Sequence, residues 1–176
     1  CGTKHAIQGF TESLITELIE AESGVSVCSV HMPALNTPQF EWVRSKMPNR
    51  AQPVPPIFQP EVAADAIHFA AHSDRTRMYV GLPTVKTVLG ERVAPWFLDA
   101  YLARNGVEAQ QTDEPLPDDR PDNLFEPVPG DFAARGRFDD RARDASPQLW
   151  ASRNRAWLAV AGGAVAVLAG VLALRD

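Results

Sequence analysis

Apolar residues near the start of the chain recur at the spacing of an amphipathic helix. They fall at Ile7, Phe10, Leu14 and Leu18, with glutamates between them. A helix with this spacing buries one stripe of side chains and exposes the opposite side to water. Ser23 and Gly24 follow, so we expect this helix to end there.

Two short runs of apolar residues predict strands. Residues 25–32 read VSVCSVHM and residues 77–82 read RMYVGL, and a proline follows each run. Continuous runs of this kind are typical of strands buried on both faces of a parallel sheet. Pro33 and Pro83 mark their ends because proline cannot donate a ladder hydrogen bond.

Two further helices are predicted from start signals and periodicity. Residues 60–72 begin with proline and glutamate, which favour a helix start. Residues 84–104 form a third helical region, interrupted near Gly90 and Pro95 and closed by Asn105 and Gly106. The alternation of helices with strands predicts an α/β domain with a right-handed crossover between parallel strands. Two strands make a poor sheet, so we expect further strands to precede residue 1.

Proline-rich and acidic stretches separate these elements from the end of the chain. Residues 33–60 hold seven prolines with aromatic residues between them and cannot form one regular element. Residues 107–150 hold eleven acidic residues against five arginines, with few aliphatics, which predicts an acidic disordered linker. In the alternative, the phenylalanines of this segment pack on the folded domain; they are Phe125, Phe132 and Phe138.

The last segment is strongly apolar. Residues 156–174 contain no charge, and arginines precede them more often than they follow. A helix of this length reaches roughly 28 Å, close to the hydrocarbon thickness of a bilayer. We therefore expect a C-terminal transmembrane helix with the globular part cytoplasmic. A buried core helix is the alternative.

Composition excludes several other functions. The net charge is −5 and no large basic face is present, which argues against a nucleic-acid partner. Cys1 and Cys28 are too few for a disulfide framework or a metal cluster, and His31 and His68 have no metal-ligand partner at useful spacing. We expect no metal, and a reducing compartment for the globular part.

Two short motifs now connect these elements to a known family. Lys4 ends the opening Cys-Gly-Thr-Lys, and residues 31–38 read HMPALNTP. Together with the element order, they resemble the C-terminal half of the short-chain dehydrogenase/reductase family. Its Tyr-x-x-x-Lys motif begins a helix, and residues 1–4 would hold the last four positions of that motif. The tyrosine would then stand immediately before Cys1. The family's Pro-Gly-x-x-x-Thr-Pro segment has Ala34 here in place of its glycine.

The resemblance implies a catalytic role for Lys4. A phenol has a reference pKa near 10 and is a poor base at neutral pH unless a nearby cation favours its ionised form. Lys4 would supply that charge one helical turn from the tyrosine and would also hydrogen-bond the ribose of NAD or NADP. In the alternative, Lys4 is a solvated helix lysine.

The resemblance assigns two more sets of residues. The segment that meets the nicotinamide carboxamide would be Pro33, Ala34, Leu35, Asn36 and Thr37. Its alternative is an ordinary turn. A mobile substrate lid would carry Phe40, Trp42 and Phe58, and an apolar lid suits a hydrophobic substrate. These aromatic side chains would otherwise pack the loop onto the domain.

The resulting interpretation divides the chain into three parts. Residues 1–106 form the C-terminal part of a Rossmann-like, doubly wound parallel sheet, residues 107–150 the linker and residues 151–176 the membrane tail. The chain would be a fragment of a membrane-anchored NAD(P)-dependent oxidoreductase that acts on a small alcohol or carbonyl compound. It would be inactive alone, because the phosphate-binding glycines and the catalytic serine and tyrosine are missing. The alternative is a non-catalytic, tail-anchored interaction scaffold. In either case, the helix over residues 7–18 would form a homodimer.

Overall fold

Small sheets and surface helices make up the fold. The computed structural model describes the backbone of residues 2–173 and the side chains of residues 2–167. The helices are α1 (Gly2–Glu20), α2 (Pro60–Ala71), α3 (Leu82–Val93), α4 (Pro95–Ala109), α5 (Pro147–Arg153) and α6 (Arg155–Ala173). The strands are β1 (Ser29–His31), β2 (Ala34–Leu35), β3 (Asn49–Ala51), β4 (Ile57–Phe58), β5 (Arg77–Tyr79), β6 (Gln111–Pro115) and β7 (Ala142–Arg143).

The two predicted strands pair in parallel, in the register Val30 to Met78. Both are shorter than predicted: β1 begins at Ser29 and β5 ends at Tyr79. Among residues 2–173, β1 pairs only with β5. No second neighbouring strand therefore provides hydrogen bonds to lengthen β1 back to Val25. The fold is therefore α/β with small parallel sheets, and the predicted doubly wound sheet does not form from the described residues.

Residues 33–60 form strands where no regular element was predicted. β2, β4 and β7 make a three-stranded parallel sheet in the order β2-β4-β7, and β3 pairs antiparallel with β6. A 3-10 helix, Pro38–Glu41, lies between β2 and β3. The prolines limit β2, β3 and β4 to two or three residues because each proline removes a backbone donor. Strands this short leave no alternating pattern in the sequence.

The hydrophobic core lies where α2 packs on the parallel strands. Val62, Ala66 and Ala70 form a buried stripe along one face of α2. Met78 and Val80 of the β5 region are 1% and 0% exposed beneath it. Small alanines let the helix approach the strands closely. The predicted helix over residues 60–72 is therefore stabilised by packing as well as favoured by its start signal.

α1 forms where it was predicted but buries no residue fully. Ile7 and Phe10 remain 54% and 69% exposed, while Leu14 and Leu18 are half-buried. The stripe expected to face the core therefore lies largely open. The homodimer expected along this helix stays a prediction.

The acidic segment 107–150 is ordered, so the predicted disordered linker is wrong. It contributes β6 and β7 to two sheets, and Phe138 is only 4% exposed. Arg120 donates to the backbone carbonyls of Phe40 and Glu41, both at 2.9 Å. Composition underestimated this order because aromatic anchors and arginine hydrogen bonds replace the missing aliphatic core.

The predicted transmembrane helix is also wrong. None of the helices within residues 2–173 is long and apolar enough to cross a membrane. Leu174, the last residue of the predicted span, lies outside the described residues. The single-pass anchor and the orientation of the globular part were both inferred from that helix, so neither expectation is supported.

Candidate functional site

A groove separates the first turns of α1 from β1. Its volume is about 640 Å³, and Lys4 lines it from α1 while His31 and Met32 line it from the carboxyl end of β1. Thr84 of α3 closes one side. The groove runs along the whole of β1 and reaches its carboxyl end. Ligands of α/β proteins bind at that end of parallel strands, so this groove is the candidate site.

His31 lines the same groove as the exposed Lys4 and gives it a neutral imidazole. Burial, reinforced by the positive charge of Arg77, lowers the pKa of His31 below 6.5, and Glu12 partly opposes this. Its ring lies 5.0 Å from the ring of Tyr79. The Nε2 atom is buried and has no hydrogen-bond partner among the described residues. From the sequence, His31 was expected only to have no metal-ligand partner, and its unpaired Nε2 atom is visible only in three dimensions.

The segment from Pro33 to Thr37 does not line this groove. Pro33 packs beside Gly81, where a Cβ on the glycine would lie 3.3 Å from the proline ring. Ala34 and Leu35 form β2. Thr37 precedes the 3-10 helix without capping it through its side chain. Lys4 and this segment therefore do not line the same groove, and their roles toward a nicotinamide stay predictions.

Asn36 is fully buried, at 0% exposure, and each of its polar atoms is bonded. Its backbone N–H donates to the Phe58 carbonyl at 2.8 Å, and its own carbonyl accepts from Gly136 N–H at 3.1 Å. The side-chain Oδ1 accepts from Phe138 N–H at 3.0 Å. Buried amides need such partners, because an unpaired one costs about 1–3 kcal/mol.

Gln59 and Asp139 complete a polar triangle with Asn36. Asn36 Nδ2 donates to Gln59 Oε1 at 3.0 Å and to Asp139 Oδ1 at 2.9 Å. Gln59 Nε2 donates to the same Asp139 oxygen at 2.8 Å. Sequence reasoning missed both partners. Gln59 carries a faint signal, since it directly precedes the proline of a helix start, whereas Asp139 resembles its acidic neighbours.

The predicted lid aromatics occupy different environments. Phe40 meets Phe138 edge to face at 5.9 Å, and Trp42 meets Phe132 at 4.2 Å between ring centroids. Phe58 belongs to β4 and the core, with 3% of its surface exposed. The aromatics of the loop are therefore packed against the acidic segment, and their role toward a substrate stays a prediction.

Two further histidines lie apart from the groove, whereas Cys28 lines it. His68 and His72 stack on the exposed side of α2 at 4.6 Å. Burial raises the pKa of the Cys28 thiol, and Arg75 partly opposes this. Within the described residues, no three histidine, cysteine or acidic side chains group closely enough to hold a metal ion.

Comparison with known proteins gives one informative similarity. The chain is 30% identical over 115 residues to the uncharacterized oxidoreductase YxnA of Bacillus subtilis (strain 168). This chain is similar to an oxidoreductase. The aligned part covers 64% of the chain and 32% of YxnA, so the chain spans about a third of the length of the curated relative it matches. No family model and no solved structure matches the chain.

Proposed function

We propose that this chain supplies the lysine-bearing side of an NAD(P)-dependent oxidoreductase of the short-chain dehydrogenase/reductase type. The substrate would be a small, hydrophobic alcohol or carbonyl compound. One observation carries the proposal: Lys4 shares a groove with the carboxyl end of β1 in a chain similar to an oxidoreductase. A cation at that end of a strand suits a polar, oxygen-rich ligand.

In this proposal the groove receives part of a dinucleotide. The exposed ammonium of Lys4 has three donors, which suit the hydroxyls of a ribose. Asn36 fits less well, because its polar atoms are already bonded within the protein. When bound, a nicotinamide cofactor supplies or accepts the hydride. NAD and NADP are equally compatible with these residues.

The chain's own residues would act through charge and proton affinity. The Lys4 ammonium would orient the ribose and lower the pKa of an adjacent phenol, so that the phenol could exchange a proton with the substrate oxygen. His31, neutral at pH 7 because its pKa is lowered, can accept or donate a hydrogen bond without adding a second positive charge to the groove.

A non-catalytic interaction scaffold is the second candidate. The exposed apolar side chains of α1, Ile7 and Phe10 among them, support it because such side chains favour contact with another protein surface. In this alternative, Lys4 is a solvated surface residue and its replacement leaves every enzymatic readout unchanged.

Replacing Lys4 in the natural full-length protein tests the proposal. Oxidation of short-chain and aromatic alcohols is followed as reduced dinucleotide forms, with NAD+ and with NADP+. Lys4→Met should lower kcat by about 10²-fold or more, the usual contribution of acid–base groups. Lys86→Met on α3 is the matched control, since Lys86 is an exposed helix lysine away from the groove. Equal activity of the two variants, or no dinucleotide-dependent turnover in the wild type, favours the scaffold.

A further inference from the structure

His68 and His72 lie one helical turn apart at the carboxyl end of α2. His68 belongs to the last turn, and His72 is the residue that follows the helix. Both side chains are exposed, and their ring centroids lie 4.6 Å apart at an interplanar angle of 37°. Residues four apart on a helix are neighbours on its surface. The helix therefore gives His68 a neighbouring imidazole, although the sequence was expected to offer it no metal-ligand partner.

The hydrogen bond of His72 decides which of its ring nitrogens is available. Nδ1 lies 2.8 Å from the backbone carbonyl oxygen of His68. A carbonyl has no proton to donate, so Nδ1 carries the proton and the Nε2 atom of the neutral ring keeps its lone pair. Histidines that bind metals are held in this way, because the second nitrogen usually donates to a carbonyl or a carboxylate. The His68 ring makes no hydrogen bond to described residues, so its nitrogens are available as well.

The distance between the two rings suits one shared metal ion. Zinc binds histidine nitrogen at about 2.0–2.1 Å, so two nitrogens that share an ion lie at most about 4.2 Å apart. Rings whose centroids lie 4.6 Å apart can reach that separation by side-chain rotation. Two histidines at this helical spacing also hold the zinc ion of many metalloproteases. No cluster of three histidine, cysteine or acidic side chains forms among the described residues, so water would occupy the remaining positions.

Negative groups near the pair offset two nearby arginines. The carboxyl end of a helix carries a partial negative charge, and both histidines lie at that end of α2. Asp65 and Asp74 are exposed on either side of the pair along the chain. Arg75 and Arg153 lie over the ring of Phe69, at 5.0 and 5.3 Å from its centroid. The local charge therefore does not exclude a cation.

We propose that His68 and His72 form a surface site for one divalent ion of the later first-row transition metals, Ni²⁺, Cu²⁺ or Zn²⁺. These ions bind imidazole nitrogen well, whereas Mg²⁺ and Ca²⁺ prefer oxygen ligands. The bound ion would connect the last turn of α2 to the residue that ends it. Because α2 packs on the core strands, the ion would stabilise the folded protein. Neither histidine lines the groove of Lys4, so the site does not depend on the proposed oxidoreductase function.

Four variants of the natural full-length protein test the site. His68→Gln and His72→Gln each remove one ligand from an exposed position. His5→Gln is the matched control, because it removes an exposed helix histidine that lies outside the pair. The double variant Ala64→His/His68→Ala keeps the number of histidines but places the two on α2 eight residues apart. They are then separated by about 12 Å along the helix axis, too far to share one ion.

Isothermal titration calorimetry with NiCl2, ZnCl2 and MgCl2 measures binding to protein first freed of metal with EDTA. The wild type and His5→Gln should share one Ni²⁺ or Zn²⁺ site and should bind no Mg²⁺ there. Loss of either histidine should weaken that site by about 10²-fold or more, because the second nitrogen of a pair binds intramolecularly. The double variant should bind as weakly as the single ones. At a Zn²⁺ concentration of about 100 times Kd, the ratio of folded to unfolded wild type should rise about 100-fold in thermal unfolding.

Four results would overturn the inference. Equal Ni²⁺ affinity and stoichiometry in the wild type, His68→Gln and His72→Gln would show that the pair is only an aromatic stack. Wild-type affinity in the double variant would show that single histidines bind the ion independently. Binding of Mg²⁺ at this site as tight as that of Ni²⁺ would show that carboxylates, not imidazoles, attract the ion. Binding that requires both histidines but leaves the unfolding midpoint unchanged would refute the stabilisation of α2.

Discussion

Arg77 Nη2 donates to Glu12 Oε1 at 2.6 Å and joins β5 to α1, the helix that carries Lys4. Both side chains are more than two-fifths exposed, so the ion pair is worth at most about 1 kcal/mol. α1 has no fully buried residue to hold it otherwise. The position of Lys4 over β1 therefore depends in part on a weak surface contact.

Arg77→Met should loosen α1 without unfolding the domain. We expect faster amide exchange along α1 and a loss of at most about 1 kcal/mol in the free energy of unfolding, because an exposed ion pair contributes no more. Arg92→Met is the control, since Arg92 lies on α3 and makes no ion pair with described residues. Hydrogen exchange followed by mass spectrometry measures both. Unchanged exchange in α1 would show that other contacts hold the helix.

Phe58→Ala should destabilise the core strongly. Phe58 is 3% exposed and packs with Val62 and Val80, so its removal leaves a cavity that costs about 3–5 kcal/mol. Phe125→Ala removes the same ring from a position that is 84% exposed and should cost little. Urea unfolding measures the difference. A normal midpoint for Phe58→Ala, together with a raised KM, would restore the lid role predicted from the sequence.

Gly81→Ala tests the close packing at the start of α3. Gly81 has φ 82°, and an added Cβ would lie 3.3 Å from both the Phe58 ring and Pro33. Gly24 has a similar φ of 72° with open space around it, so Gly24→Ala carries the backbone strain alone. We expect a cost of about 1–2 kcal/mol at Gly24 and a larger one at Gly81. Equal thermal shifts for the two variants would mean that the Phe58 ring moves aside freely.

The helices and strands predicted correctly are those whose signal lies in neighbouring residues and repeats along the chain. α1 and α2 were predicted within a few residues because helical periodicity and, for α2, a proline start signal appear along the chain itself. The pairing of β1 with β5 also followed, since consecutive parallel strands are joined by a crossover helix. The predicted closing of the third helical region at Gly106 failed, because α4 runs on to Ala109.

The remaining misses share a physical cause. The triangle of Asn36, Gln59 and Asp139 joins residues up to 103 positions apart, and no spacing along the chain encodes such a contact. β6 and β7 owe their order to partners in the loop of residues 33–60 rather than to their own composition. An acidic, proline-rich segment indicates disorder only when no such partner exists. The helix that carries Lys4 is encoded by local periodicity. The hydrogen bonds of Asn36 come instead from residues far along the chain.

His31 should make the stability of the domain depend on pH in a defined direction. Because its pKa in the folded protein lies below 6.5, the unfolded chain binds a proton first as the pH falls. Stability is therefore present above pH 6.5 and decreases as the pH falls toward the lowered pKa. His31→Gln should remove this part of the slope in urea unfolding at a series of pH values. Arg77→Met should raise the His31 pKa, measured by NMR, since Arg77 helps to lower it.

Glu61 offers a direct report on the contact between α2 and Arg135. Its pKa is lowered from 4.5 first by a backbone hydrogen bond at the start of α2 and then by the hydrogen bond from Arg135. Glu61 therefore contributes stability above pH 4.5, and this is lost as the pH falls through the lowered pKa. Arg135→Gln should raise the Glu61 pKa only part of the way back, because the backbone bond remains.

Carboxyl-carbon NMR titration measures this pKa in the folded protein. Arg143→Gln is the matched control, since Arg143 lies in β7 and its side chain makes no ion pair with described residues. Salt should act in the same direction as Arg135→Gln, because it screens the exposed pair of Arg135 and Glu61. An unchanged Glu61 pKa in Arg135→Gln would mean that the pair does not form in solution.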